Sequence, residues 1–562
     1  MTSLFRPKRI APPCKRALLA LTLAVLSGTC AAPLTAQTGD LPTLGDNADI
    51  SLSLERKIGE RIARDLYRDP DYLDDPLLIE YVQSIWQPLL GAARQRGELT
   101  PELEQRFAFE VLLGRDRSIN AFAVPGGYLG LNLGLIGVAS SADELAAVLA
   151  HELTHVTQRH IARQISKQNQ QSPLLLATLL LGLLVASKNP DAANAIITGG
   201  QGVAAASQLG FSRDVEREAD RIGFAVMTQA GFDPLGFIGL FEKLQQAARL
   251  NDNGSFPYLR THPLTTERIA QARQRLVLGD TPQSAGTAPP QPLQIEHALM
   301  AARARVLSNP GADSLRAWLS QAQASDSASA SQATQAAVLY AGALAAMQLR
   351  DFDQALVLAS RLRRLVGEPT DIAAPGSLAT RPGSSVLNTA LPPDALGKRA
   401  GARAQNQRAA RLASLLQAQL ALAAGQAGRA VAQIDANANA RPEVILRAQA
   451  LLAETGTAPD VAVDRALTQQ LQSWVLEHPR DAAAWQLLAA AYTRQNQGLR
   501  AIRAEAESHA VRFDYAAALD RFKAAQLLAR NTAGAVDLIE ASIIDTRARQ
   551  VEAALKEQLL DR

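Results

Sequence analysis

The sequence predicts a mainly α-helical protein in two parts, an N-terminal α+β domain with a small β-sheet and a C-terminal all-α array of helical repeats. Aromatic residues make up only 4% of the chain and alanine is abundant, which is typical of helices that pack through small side chains. Strand candidates are confined to residues 107–134, and almost everything beyond residue 292 has helical periodicity. A chain of 562 residues is long enough for two domains with cores of their own.

The N-terminus has the pattern of a secretory signal. Basic residues between Arg6 and Arg16 precede a short apolar run from Ala17 to Leu26, and small residues follow, with a cleavage position after Ala36. The apolar run is shorter than an ordinary membrane span, which makes an uncleaved anchor the weaker interpretation. We therefore predict a signal peptide at residues 1–36 and a periplasmic mature protein.

Cysteine content and net charge restrict the partners of the chain. Cys14 and Cys30 are its only cysteines, and both precede the cleavage position, so the mature protein would offer no disulfide and no thiolate ligand. Lipid attachment at Cys30 is a rival hypothesis, although Leu26 to Cys30 is one residue longer than the usual lipobox. The net charge of +3 gives no reason to expect nucleic acid as a partner.

The N-terminal domain begins with helices, continues into the strands and returns to a long helix. Ser141 and Glu144 form a capping-box pattern, and the helix that starts there runs to Gln164 without a breaker. The other predicted elements are helices at Ser51–Tyr67 and Pro76–Arg94, a strand at Phe107–Leu113, and a strand–turn–strand segment at Ala121–Gly134.

The strongest chemical signal is His151-Glu152-Leu153-Thr154-His155. Positions i and i+4 of a helix lie on one face, so both imidazoles can reach one metal ion, while Glu152 can deprotonate a metal-bound water. The alternative is an amphipathic helix with incidental polar residues, but burial of these side chains without a metal would leave them in need of partners. We therefore predict one zinc ion per chain, bound by His151 and His155, with Glu152 as general base of peptide hydrolysis.

A catalytic zinc needs a third protein ligand, which in the absence of cysteine must be histidine, glutamate or aspartate. Residues 212–220 form an acidic helical segment in which Glu216 and Asp220 share a face. Glu216 could bind the metal while Asp220 accepts the outer N–H of a ligand histidine, with Glu218 pointing away from that face. From spacing alone, a solvated charged helix explains the segment nearly as well.

The C-terminal half contains degenerate repeat signals. Trp485-x-x-Leu488-Ala489-x-x-Tyr492 matches the first helix of a tetratricopeptide unit, and Asp351-Phe352 and Asp514-Tyr515 match the turn into a second helix. A generic helical array is the alternative, and either arrangement leaves a concave groove. We divide the chain into the signal peptide (1–36), the peptidase domain (37–280), a linker (281–295) and a tetratricopeptide-like domain (296–562) with a Gly/Pro/Ser-rich insert at 367–403.

The segment from Pro173 to Ala186 is almost wholly apolar. As a helix it would span roughly 20 Å, short of the roughly 30 Å hydrocarbon core of a membrane. We expect a buried helix or a hydrophobic flap beside the site, and peripheral contact with a membrane stays open.

Taken together, these residues resemble the gluzincin metallopeptidases of the HtpX and CAAX-prenyl-protease type. The resemblance combines His151-Glu152-x-x-His155 with Glu216-x-x-Ala219-Asp220 and Thr261-His262-Pro263-Leu264, and it is dense from about residue 116 to 275. It is closer to the periplasmic members that act in outer-membrane protein assembly, although the insert at 367–403 departs from their pattern. Cleavage of prenylated peptides fits poorly, since it would require a chamber within a membrane.

The resemblance implies a gluzincin-type fold and roles for six residues. Zinc would be held by His151, His155 and Glu216, with Glu152 as general base and Asp220 supporting a ligand histidine. His262 would approach the metal from a mobile loop, where it either takes the water's position as a fourth ligand and keeps the enzyme latent, or stabilises the oxyanion. Ala121–Gly134 would supply an edge strand for substrate peptides, or serve as a plain structural hairpin.

Two functions remain under consideration from the sequence. The first is a periplasmic zinc endopeptidase that degrades misfolded or stalled outer-membrane proteins and has a further role in their assembly. The second is a chaperone or scaffold whose repeats bind clients, with proteolysis secondary. In both, unfolded outer-membrane proteins and the beta-barrel assembly machinery are the expected partners, the latter through the repeats.

Overall fold

The computed structural model describes residues 50–167, 213–250, 258–259, 262, 266–278, 295–324, 330–367, 393–454, 460–531 and 537–560. The signal peptide, the apolar stretch 173–186, nearly all of the linker and residues 368–392 of the insert lie outside the described residues. The predicted fold class is confirmed, because helices dominate and one small sheet lies in the N-terminal half. A helix that begins at Pro393 includes the C-terminal part of the predicted insert.

The N-terminal half begins with two helices that both carry side-chain caps. Ser51 Oγ accepts from Leu54 N–H at the start of α1 (Leu52–Arg68), and Asp75 Oδ1 accepts from Leu78 N–H at the start of α2 (Pro76–Gln95). One short strand and one short helix complete this region, β1 (Tyr72–Leu73) and α3 (Pro101–Arg106).

Four strands form the sheet in the order β1-β2-β4-β3. Strands β2 (Glu110–Gly114) and β4 (Tyr128–Asn132) pair in parallel, whereas β3 (Ala121–Val124) pairs antiparallel to β4 across a 3₁₀ turn at Pro125–Gly127. The prediction of a strand, a turn and a strand in this segment is confirmed. Among the described residues β3 is an edge of the sheet, with one side free of strand partners.

The long helix predicted to continue to Gln164 is interrupted, so that part of the prediction is wrong. Helix α5 (Ala142–Thr157) follows α4 (Leu133–Val138), and a separate helix α6 (His160–Lys167) begins after Arg159. Arg159 adopts the left-handed conformation, with φ of +51°. Its side chain donates to Glu55 Oε2 (2.9 Å) and to the carbonyl of Ile50, contacts that local sequence does not reveal.

The remaining secondary-structure elements of the described residues are helices. The N-terminal half ends with α7 (Arg213–Gln229), α8 (Leu235–Leu250) and α9 (Thr266–Leu278). The C-terminal half contains α10 (Ile295–Leu307), α11 (Ala312–Ala324), α12 (Gln332–Gln348), α13 (Phe352–Gly367), α14 (Pro393–Ala423), α15 (Ala427–Ala432), α16 (Arg441–Ala453), α17 (Val461–Glu477), α18 (Ala482–Arg494), α19 (Gly498–Val511), α20 (Tyr515–Asn531) and α21 (Leu538–Leu560). None of the described helices is both long and apolar enough to span a membrane.

Consecutive helices of the C-terminal half pack against each other as neighbouring pairs, and several turns between them share one backbone feature. The second residue after the end of the first helix takes a positive φ at Arg350, Gly425, Asn496 and Phe513. The next N–H then bonds back into the last turn, as Asp514 N–H does to His509 O (3.0 Å). The repeated cap gives the array its regular turns.

One continuous hydrophobic core runs from Leu73 in the N-terminal half to Ala450 in α16. Helix α10 packs on α4 and on α12, so the first helix of the array shares the core that supports the sheet. His297 of α10 reinforces the contact, since its Nε2 lies 2.8 Å from Ala139 O and its Nδ1 lies 2.6 Å from Tyr81 Oη. The two halves are therefore packed together as one body within residues 50–562.

Arginines of the helical array bind acidic residues on and just before α2. Arg303 of α10 donates to both oxygens of Asp75, from Nε at 2.9 Å and from Nη2 at 2.5 Å, and both side chains are buried. Arg411 of α14 bridges Glu80 of α2 and Glu443 of α16. These contacts attach α2 to the helical array. Helix α2 also packs against α5 and α7.

Candidate metal centre

Helix α5 carries the two histidines of the His-Glu-x-x-His segment on a buried face. Ser141 Oγ accepts from Glu144 N–H (3.2 Å) at its start, and every residue from Glu144 to Thr157 is buried. His151 and His155, one helical turn apart, point their Nε2 atoms at each other across 3.0 Å. Two ring nitrogens at this separation need a shared proton or a shared cation between them.

Helix α7 brings the predicted acidic ligand to the same point. Glu216 is buried, and its carboxylate oxygens lie 3.5 Å from His151 Nε2 and 3.5 Å from His155 Nε2. The alternative of a solvated helix face does not hold for Glu216 and Asp220, which are both buried. Glu218, in contrast, faces the other way and contacts His160 and Arg163.

The close approach of α5 and α7 depends on Gly223. A Cβ at this position would lie 3.1 Å from the backbone of Ala150 and 3.1 Å from the N atom of His151. The absence of a side chain therefore lets the helix that carries Glu216 pack directly on the backbone next to a predicted ligand.

His262 completes the cluster from the segment before α9. Its Nδ1 lies 3.0 Å from Glu216 Oε1 and 3.3 Å from His151 Nε2. Tyr258 stacks on its ring with centroids 4.7 Å apart, and His262 N–H donates to Tyr258 O (2.9 Å). The structure thus gathers donor atoms of His151, His155, Glu216 and His262 within 4.8 Å of one another.

The donor set fits a divalent metal ion. Ligand atoms around a tetrahedral zinc lie about 3.4 Å apart, given bonds of about 2.1 Å, and the contacts within the cluster run from 3.0 to 3.5 Å. Glu152 Oε1, fully buried, has no hydrogen-bond partner among the described residues. Such an oxygen beside the cluster is suited to a metal-bound water.

Asp220 and Glu152 take positions beside the donor atoms. Asp220 Oδ1 lies 3.1 Å from His151 Nδ1, the ring nitrogen opposite the cluster. Glu152 Oε2 accepts from Ala123 N–H (2.9 Å) of the edge strand β3, and Oε1 lies 3.5 Å from His262 Nε2. The structure therefore brings all six sequence-predicted site residues together.

Residues 81–276 match the family model of Peptidase family M48. The chain carries an M48 peptidase domain. The matched range includes all six predicted site residues and ends within α9.

Curated relatives extend the match beyond the M48 domain. A beta-barrel assembly-enhancing protease of Escherichia coli K12 is 33% identical over 346 residues, 61% of this chain and 66% of its own length. Its counterpart in Yersinia pestis is 32% identical over 49% of this chain and 53% of its own length. A mitochondrial metalloendopeptidase OMA1 of Saccharomyces cerevisiae is 29% identical over 39% of this chain and 63% of its own length. The chain thus spans just under two-thirds of the E. coli relative.

The charges of the M48 site favour a cation between the imidazoles. Burial opposes the imidazolium of His151, but the carboxylates of Asp220 and Glu216 outweigh it and raise the pKa of His151 to about 9. Burial lowers the pKa of His155 well below its usual range, and His151 and His262 lower it further. Against its own burial, Glu216 has a pKa held well below normal by His262 and His151. Glu216 is therefore an anion, ready to neutralise a bound metal.

Burial raises the pKa of Glu152, so this carboxyl group is a better proton acceptor than an exposed glutamate. The neighbouring imidazoles of His262 and His151 act in the opposite direction without reversing the shift. The position and the raised pKa both suit a general base.

Two residues of the M48 site, Arg268 and His160, were missed from the sequence. Arg268 of α9 donates to Asp220 and lies 2.7 Å from Glu216 Oε2, so it holds two acidic groups at once. Its partners lie about 50 residues earlier, and no helical spacing connects them. His160 follows His155 by five residues in the sequence, but its contact with His155 depends on the break at Arg159.

Proposed function

We propose that the chain is a zinc-dependent endopeptidase of the bacterial periplasm that degrades misfolded or stalled outer-membrane proteins. The observation that carries the proposal is the buried cluster of His151, His155, Glu216 and His262 with Glu152 beside it. Two imidazoles and a carboxylate, without thiolates, are a typical donor set for catalytic zinc. We take His151, His155 and Glu216 as the ligands.

Bound zinc would lower the pKa of a water molecule and polarise the scissile carbonyl. Glu152 accepts the proton of the attacking water and returns it to the leaving amine. Asp220 orients His151 through its outer nitrogen, and Arg268 holds Asp220 in place. The Ala123 N–H fixes one oxygen of Glu152, which leaves the other oxygen to face the cluster.

Strand β3 supplies a place for the substrate backbone. Asn120 O accepts from Asn132 N–H on the β4 side, whereas Ala123 N–H points away from β4 toward Glu152. Because alternate residues of an antiparallel strand face opposite sides, Ala121 presents its N–H and C=O groups to the outer edge, and Ala123 presents its C=O group there while its N–H is bonded to Glu152. An extended peptide can add to this edge, which favours unfolded substrates over folded ones.

His262 is best explained as a latency device. Its Nδ1 lies among the donor atoms and its side chain is buried, so it takes the fourth position that a water molecule would need. An open position is what distinguishes a catalytic zinc site from a structural one. Displacement of the segment that carries His262 would then start catalysis. Stabilisation of the oxyanion by His262 is the alternative role.

The proposed clients and compartment rest on the relatives and on the N-terminal sequence. The E. coli relative, 33% identical over the aligned 346 residues, is named for the enhancement of beta-barrel assembly, and residues 1–36 have the pattern of an export signal. The helical array would recruit clients or the barrel-assembly machinery. A chaperone role is the second candidate, since those names describe assembly as well as proteolysis.

The decisive experiment compares the wild-type protein with Glu152→Gln. We expect about one zinc per chain in both, hydrolysis of unfolded casein by the wild type, and loss of hydrolysis in the variant. Glu267→Gln, an exposed glutamate of α9, is the matched control and should retain activity. A wild-type protein without tightly bound metal would refute the proposal. Outer-membrane protein assembly in a Glu152→Gln strain tests the chaperone role: normal assembly with lost degradation supports it.

A further inference from the structure

The break at Arg159 changes what the residue after it can contact. In an uninterrupted helix, position i+5 lies roughly 140° around the axis from position i, too far to share a face. The left-handed conformation of Arg159 ends α5, and α6 starts again at His160. His160 Nδ1 then lies 2.9 Å from Nδ1 of His155, five residues earlier.

His160 is bound on its other side by an acidic residue of α7. Its Nε2 lies 3.1 Å from Glu218 Oε2, and Arg163 Nη2 donates to the same oxygen at 3.1 Å. His160 is 2% exposed, while the Glu218 side chain is about one-third exposed, at 32%. The chain of contacts therefore runs from the metal cluster outward, through His155 and His160, to the rim of the domain.

The donor and acceptor inventory of these groups assigns the hydrogens. An ionised carboxylate only accepts, so His160 Nε2 carries a hydrogen, and a neutral imidazole has just one N–H. His160 Nδ1 is then an acceptor, and His155 Nδ1 must be the donor. His155 Nε2 therefore carries no hydrogen, and its lone pair faces the cluster at 3.0 Å from His151 Nε2.

We propose that His160 is a positioning residue for metal binding, which fixes the tautomer and the ring orientation of His155 and is itself fixed by Glu218. The inference rests on the proposed function, because it assigns a role toward the same metal. The two ligand histidines are held in different ways. His151 faces Asp220, which is bound by Arg268. His155 faces His160, which is bound by the part-exposed carboxylate of Glu218.

Metal affinity is the readout that separates positioning from a merely structural role. Chelator competition would measure the zinc Kd, and the visible absorption of the Co²⁺-loaded protein would report ligand geometry. Loss of a residue that orients a ligand typically costs about 10–100-fold in affinity. We expect a loss in this range for His160→Phe, with an altered Co²⁺ spectrum, and recovery of most of the affinity in His160→Gln, whose amide oxygen can accept from His155.

Two further variants guard against misfolding as an explanation. His297→Phe removes another buried histidine, one that bonds to Ala139 O and to Tyr81 Oη rather than to a member of the cluster, and it should leave zinc affinity unchanged. Glu218→Ala changes a part-exposed position and should weaken zinc binding by a smaller factor than His160→Phe. Its matched control is Glu267→Ala, which should match the wild type.

The outcomes also separate this inference from the proposed function. If wild-type protein binds zinc tightly and neither His160→Phe nor Glu218→Ala changes the Kd or the Co²⁺ spectrum, the positioning role is refuted while the proposed function stands. Equal losses in His160→Phe and His297→Phe would likewise overturn it, because they would indicate a general effect of buried histidines. If the wild-type protein binds no metal, the proposed function itself fails.

Discussion

Arg268 binds both carboxylate oxygens of Asp220, with Nε 2.6 Å from Oδ2 and Nη2 2.7 Å from Oδ1. Removal of Arg268 would leave the buried carboxylates of Asp220 and Glu216 without their arginine partner. Loss of one partner of a buried pair costs about 3–5 kcal/mol. We expect Arg268→Ala to lower the free energy of unfolding of the metal-free protein by that amount, measured in urea with a chelator present. Arg273→Ala, an exposed pair on the same helix, should cost less than about 1 kcal/mol.

The stacking of His262 on Tyr258 holds an imidazole against the cluster. If His262 keeps the enzyme latent, His262→Ala opens the fourth position and raises the rate of casein hydrolysis above that of the wild type. Rates are measured on zinc-loaded proteins beside Glu152→Gln. A fall in rate as deep as that of Glu152→Gln would instead assign His262 to oxyanion stabilisation.

Gly223 allows the helix that carries Glu216 to lie against the backbone of His151. A methyl group there forces the two helices apart by a few tenths of an ångström, and overpacking of this kind costs about 1–3 kcal/mol. Gly223→Ala should therefore reduce both the unfolding free energy and the zinc affinity. Gly91→Ala is the control, because nothing lies within 4 Å of its added Cβ, and the helical position should gain slightly from alanine. Unchanged zinc affinity in Gly223→Ala would show that the site tolerates the shift.

The pair between Arg303 and Asp75 joins the helical array to the start of α2. Arg303→Met keeps much of the side-chain volume but leaves Asp75 without its cation. We expect a loss of about 3–5 kcal/mol in unfolding free energy. Arg408→Met, which removes an exposed pair with Glu296, should change stability by less than about 1 kcal/mol. Equal effects of the two substitutions would contradict a stabilising role for the buried pair.

Much of the fold and of the donor cluster could be predicted from local patterns. The spacing of four residues predicted that His151 and His155 share one helix face, and their Nε2 atoms lie 3.0 Å apart. The same spacing predicted a common face for Glu216 and Asp220, and both are buried at the cluster. Capping by Ser141 could also be predicted, because a cap bonds to a residue at most three positions away.

Contacts between distant segments could not be predicted in this way. The break at Arg159 is held by Glu55 and Ile50, more than 100 residues earlier, and nothing in the local pattern interrupts the helix there. Arg268 reaches Asp220 across 48 residues, and its own neighbours in sequence do not distinguish it from other surface arginines. The shared core was missed because periodicity shows which face of a helix is buried but not which element covers it.

Helix α2 packs against both ligand-bearing helices, and it binds the array through its N-cap Asp75 and through Glu80. A shortened polypeptide ending at residue 280 would keep every member of the cluster. It would lose the partners of those two side chains and uncover the apolar surface beneath α10. If such a fragment were inactive, the cause could be reduced support for the helices that carry the histidine ligands. Its inactivity would therefore not show that cleavage requires client recruitment. Point substitutions in the intact chain are the appropriate way to separate cutting from recruitment.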